Sequence, residues 1–74
     1  MNKEQYLKEL GKQIVKLRKE RNMSQSELAN RCGKDPQSLE RVENGKSNPT
    51  SYYLYEIAQG LKVSVKDFFD FKVE

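Results

Sequence analysis

An all-α fold, five short helices in one compact bundle, is predicted by three observations on the sequence. Apolar residues recur at intervals of three and four along most of the chain, the period of a helix with one buried face. Start and stop signals follow one another with hardly any linker, and they divide the chain into five segments. Finally, 74 residues with one cysteine and no histidine offer neither disulfide nor metal to staple a small core, so helix packed on helix must supply it. The length allows one domain over residues 1–74.

The first helix reaches Arg21. Asn2 caps it with Gln5 three positions on, and Leu7, Leu10, Ile14 and Leu17 make one apolar stripe. Gly11 inside it is a small propensity cost. The second helix opens in "MSQSEL", where Ser24 and Glu27 form a capping box and Met23 and Leu28 a hydrophobic staple. Its inward face is Leu28, Ala29 and Cys32, and Gly33 stops it by taking positive φ. With room only for Lys34 before the next cap, Asp35, the second and third helices must cross steeply, as in a helix-turn-helix.

The third helix is the segment "DPQSLERVENG". Asp35 caps it, Pro36 fits its first position where a missing N–H costs nothing, and Asn44-Gly45 ends it. At barely two turns it is too short to stand alone in water. Leu39, Val42 and Glu43 share its inward face, while Gln37, Glu40, Arg41 and Asn44 point outward as a row of hydrogen-bonding side chains. "KSNP" is loop, and Thr50 caps a fourth helix with Leu54, Ile57, Ala58 and Leu61 inward. Ser64, with Asp67, caps a short fifth helix that ends the chain with Phe68, Phe69 and Phe71.

Two charged residues lie where apolar ones belong. Glu43 is on the buried face of helix 3, and Arg18 adjoins Ile14 and Leu17 on helix 1. An unpaired buried charge costs several kcal/mol, so the two are expected to pair, the arginine fork on the carboxylate. Cys32 is expected to be a buried structural thiol, since no second cysteine or cationic partner is placed to activate it.

Charge and composition narrow the function. Residues 1–34 hold nine Lys or Arg against four Glu, and the remainder five against seven acidic residues, for a net +3. With a pI of about 9.1, such a basic first half suits a polyanion partner. No apolar run approaches the roughly 18 residues of a membrane span, and no secretory N-terminus is visible, so a cytoplasmic protein without membrane contact is expected. No metal cluster, activated nucleophile, paired carboxylates or phosphate-cradling glycine loop appears, so neither enzyme, metal nor cofactor is expected.

At this point "LGKQIVKLRKERNMSQSELANRCG", "LERVENGKSNPT" and "LYEIAQGLKVSVKDFF" carry a resemblance. In residue type and spacing, from about Leu10 to Phe69, the chain resembles the phage-repressor and Cro-like helix-turn-helix family, also called XRE. The resemblance implies a lambda-repressor-like five-helix domain that binds double-stranded DNA at a pseudo-palindromic operator as a homodimer, with helix 3 in the major groove. It implies the Arg18–Glu43 pair as well. Carried over by position, Gln37, Ser38 and Arg41 face base edges, Gln25 touches a phosphate, and Lys46 with the backbone around Asn44 to Asn48 meets the second phosphate strand. Asp35 and Pro36 depart from the Ser, Thr or Gln that many relatives have there, and "SYYLY" places three tyrosines at the start of helix 4.

From residue chemistry, Gln37 can address adenine and Arg41 guanine, each bidentate contact adding about 1–3 kcal/mol of discrimination. Glu40 either accepts from cytosine or holds Arg41 in its rotamer. Lys34 and Lys46 flank helix 3, each as a phosphate contact or a solvated charge. One small domain makes few contacts, so two copies are expected to read half-sites about 34–36 Å apart. Phe69 and Phe71 are expected at the dimer interface, because the small core cannot hide all the C-terminal rings; Tyr52 and Tyr53 either join them or bond to phosphate. The expected function is a transcriptional regulator, a repressor or autoregulator governed by its own concentration, as in controller proteins of restriction-modification systems. The alternative is an antitoxin or adaptor that holds a protein partner through its aromatic surface.

Overall fold

The computed structural model describes residues 1–73. Four α-helices follow in order: α1 (Lys3–Glu20), α2 (Gln25–Arg31), α3 (Pro36–Glu43) and α4 (Ser51–Leu61), then a 3-10 segment, Val65–Phe69. The helix starts are set by the expected caps. Asn2 Oδ1 accepts from the Gln5 N–H at 2.8 Å while Gln5 Oε1 accepts from the Asn2 N–H at 3.1 Å. Ser24 and Glu27 make the same reciprocal pair at 3.0 and 2.9 Å, and Asp35 and Thr50 accept from Gln37 and Tyr53 N–H groups. Each satisfies a donor that helix geometry leaves unpaired.

The fifth helix of the sequence reading is corrected: Val65–Phe69 is 3-10, so four α-helices stand where five were expected. The first four N–H groups of any α-helix lack an intrahelical partner, so a five-residue segment closed by Asp70 gains almost nothing from i→i+4 bonds. The tighter i→i+3 bond, Asp67 N–H to Ser64 carbonyl at 2.9 Å, forms instead. Phe68 still reaches the interior and is fully buried.

The core is one cluster in which Leu10 and Ile14 of α1, Leu28 and Ala29 of α2, Leu39 and Val42 of α3, Leu54, Ile57, Ala58 and Leu61 of α4, and Phe68 meet. Leu7 is buried too, and Leu17 and Met23 pack partly buried at the margin. Fully burying each of the Leu, Ile, Val and Phe side chains contributes about 1.5–3 kcal/mol, and α3, too short alone, takes its stability from the α1 and α2 surfaces on which it lies.

Two glycines govern how α3 is seated. Gly33, at φ +66°, closes the α2–α3 turn, with the Lys34 N–H returning to the Ala29 carbonyl at 2.8 Å. Gly11, which sequence reading valued only as a propensity cost, lies against the last turn of α3. A methyl added there would stand 2.7 Å from the Val42 carbonyl oxygen and closer still to that of Glu43. Backbone meets backbone, and only hydrogen fits. Among the described residues no helix is long and apolar enough to cross a membrane.

Candidate nucleic-acid interface

The site starts beneath the surface, at Glu43. Its carboxylate accepts from Arg18 Nε at 2.8 Å and Nη2 at 2.9 Å, one bond to each oxygen, and Arg18 Nη1 donates to the Met23 carbonyl at 3.0 Å. Side-chain exposures of 11% for Arg18 and 3% for Glu43 make this a buried bidentate pair. A third group joins it: Gln25 Nε2 donates to Glu43 Oε1 at 2.8 Å. The start of α2, the end of α3 and the middle of α1 are thereby locked at one carboxylate. Sequence reasoning gave Gln25 only a phosphate role. The signal for the second role was Glu43 itself, because a buried carboxylate has more acceptor sites than one arginine fork fills.

On the outward face of α3, Gln37, Glu40, Arg41 and Asn44 are exposed, and Ser38 is half-buried at the edge. Leu39, Val42 and Glu43 point the other way into the core. The expected division of the helix into two faces is therefore present. Arg41 Nη2 leans on the Lys46 carbonyl at 3.4 Å, a weak bond that is readily exchanged for a stronger acceptor; of the two roles weighed for Glu40, holding Arg41 is not the one this conformation displays. Beyond α3 the Lys46 N–H donates to the Arg41 carbonyl at 2.8 Å, and exposed Lys46 and Asn48 follow in the loop.

Lys34 stands differently. Its ammonium lies 2.6 Å from Glu56 Oε1 and 5.1 Å from the centroid of the Tyr53 ring. The hydrogen bond to Glu56 holds its pKa above the ordinary lysine value. Tyr53 in turn shares a 3.0 Å hydroxyl–hydroxyl hydrogen bond with Ser38. Neither Glu56 nor Tyr53 was singled out as a partner from the sequence. Both follow from the α2–α3 turn lying against the first half of α4.

At the far end of the chain Phe69 and Phe71 are half-buried. They gather around Tyr6 of α1, with ring centroids 6.4 Å (Tyr6–Phe69) and 5.6 Å (Tyr6–Phe71) apart. Tyr52 and Tyr55 are exposed and lie 5.7 Å apart. Cys32 is half-buried with its sulfur against Gly60, and burial pushes its thiol pKa up. The raised pKa disfavours the reactive thiolate, and the thiol is half-buried where full burial was expected.

Residues 14–68 match the helix-turn-helix family HTH_3. An uncharacterized HTH-type transcriptional regulator of Sinorhizobium fredii, y4dJ, is 42% identical over 55 residues, 74% of this chain and 71% of its own length. Among solved structures, the restriction-modification controller protein C.AhdI from Aeromonas hydrophila superposes with a TM-score of 0.83 at 27% identity, over 85% of this chain and 96% of that one. The controller protein C.Esp1396I, solved as a tetramer in complex with its natural 35 base-pair operator, gives a TM-score of 0.80 at 32% identity, over 88% of this chain and 86% of that one. Family match, relatives and α2–α3 geometry agree: this chain belongs to the XRE-type helix-turn-helix family of transcriptional regulators.

Proposed function

We propose that the chain is a sequence-specific, double-stranded DNA-binding transcriptional regulator, a repressor or autoregulator, that reads the major groove with α3 as a homodimer. The observation that carries this reading is the outward face of α3. Forked side chains, Gln37 and Arg41, stand exposed on a short helix whose other face is fixed in the core and whose end is locked by Arg18, Glu43 and Gln25. The major groove admits one α-helix and gives each base pair its own donor and acceptor pattern. Two turns are enough to present 37, 38 and 41 to it.

Phosphate contacts set the register. Lys46 and Asn48, with Asn44 at the α3 terminus, line the exit loop, and Gln25 keeps one amide proton for a phosphate after serving Glu43. Lys34 contributes least of the set, since Glu56 already meets its charge. The relative C.Esp1396I was solved as a tetramer on operator DNA, which supports more than one copy per site here, with Phe69 and Phe71 at the dimer surface.

Selection from random duplex DNA tests the reading, with wild type and Arg41→Ala side by side. The expected result is an inverted repeat from the wild type and loss of preference at one symmetric base position in the variant. A wild-type pool without any motif would overturn the function.

A further inference from the structure

Tyr53, which shares a hydrogen bond with Ser38, has no part in the function as proposed above. Among the described residues that bond is the one that links α4 to α3, for α3 rests mainly on α1 and α2. Tyr53 is also held from its other side. The Lys34 ammonium sits over its ring, and Glu56, one turn along α4, fixes that ammonium at 2.6 Å. The tyrosine is thus a half-buried strut between the helix-turn-helix turn and the outer edge of the recognition helix.

Its effect on Ser38 follows from hydroxyl chemistry. A serine hydroxyl has one proton and two lone pairs, so left alone it donates or accepts as its neighbour requires. A phenol is a stronger donor and a weaker acceptor than an alkyl alcohol, and a cation over the ring polarises its O–H further. By geometry either oxygen can give the shared proton, and this chemistry favours the one on Tyr53. One lone pair of Ser38 is then used, and the serine keeps its own proton to give and only one lone pair with which to accept.

We propose that Tyr53 is a positioning residue for base readout: by donating to Ser38 Oγ it orients the serine hydroxyl to donate toward the DNA. This inference rests on α3 entering the major groove. A donor there suits the acceptors of guanine (O6, N7), thymine (O4) and adenine (N7), whereas cytosine presents only an amino donor, which must use the one lone pair left on Ser38. The base opposite Ser38 is then guanine, thymine or adenine in preference to cytosine, although Tyr53 itself touches no base.

The test measures binding to the selected operator and to variants carrying cytosine at the position opposite Ser38, over a range of salt. Wild type, Tyr53→Phe, Ser38→Ala and the double variant are compared. Tyr53→Phe is expected to keep affinity for the best site and its salt slope while discrimination against cytosine falls about 3- to 10-fold, the worth of one hydrogen bond. Adding Tyr53→Phe to Ser38→Ala is expected to change nothing more. Three results would overturn the inference: an intact preference in Tyr53→Phe, a loss on every sequence with a salt slope lower by about 1, which marks a phosphate contact, or an equal effect without Ser38. If the wild type selects no motif, this inference and the reading beneath it fall together; a wild-type motif left unchanged by Tyr53→Phe removes this inference alone.

Discussion

At Glu43 a single carboxylate takes three donors from two other helices, and its removal or isolation is costly in different degrees. Arg18→Met leaves the carboxylate buried with only Gln25, so a loss of about 3–5 kcal/mol is expected, which at about 4–8 °C per kcal/mol lowers Tm by well over 10 °C. Arg18→Met combined with Glu43→Leu recovers most of that loss in thermal unfolding, because no charge is then stranded. Cys32 and Lys34 give a pH signature. Burial raises the thiol pKa and Glu56 raises that of the ammonium, so the folded chain favours both protonated forms. Their contribution is complete below the pKa values of the unfolded chain and is lost as pH rises through the folded ones. Glu27 is the opposite case: the Ser24 N–H lowers its pKa, and its contribution is lost as pH falls through that depressed value. Alkylation of Cys32 by iodoacetamide at pH 8 is accordingly expected to be much slower in the folded chain than in urea. Equal rates would show the thiol exposed.

Among the elements, α1 and α3 are joined by a contact with no side chain at its centre. Gly11→Ala measures it, and the sign decides. Helix propensity alone would stabilise by about 1 kcal/mol, whereas a methyl forced against the Val42 and Glu43 carbonyls costs about 1–3 kcal/mol or more; urea unfolding is expected to show net destabilisation. The boundaries of α1 to α4 were legible because caps are local, written in residues three apart such as Ser24 and Glu27. The two faces of α3 and the Arg18–Glu43 pair were legible from helical period and the cost of a stranded charge. The 3-10 character of Val65–Phe69 was not, since it depends on which hydrogen bonds a five-residue segment is able to complete. Nor were Gln25–Glu43 and Ser38–Tyr53, whose members lie 18 and 15 positions apart and meet only once the helices have crossing angles. No periodicity encodes those.

Across the whole molecule the basic charge is concentrated in the first 34 residues. With several phosphates contacted per subunit, operator affinity is expected to fall about 10³-fold or more between roughly 50 and 200 mM salt; a flat response would remove the DNA reading. The Tyr6–Phe69–Phe71 cluster lies at the chain's two ends. Phe71→Lys is expected to shift sedimentation from dimer toward monomer, while the lost ring contact with Tyr6 costs the monomer about 0.5–1.5 kcal/mol beyond the partial burial that is lost with it. An unchanged dimer would place the interface elsewhere. The outward residues of α3 add little to the core, and this has a consequence for descent. After gene duplication, copies of such a chain are free to drift at Gln37 and Arg41 toward new operators without losing their fold. Position 38 is less free, for its partner on α4 must change with it, and retargeting there takes two coordinated steps where its neighbours need one.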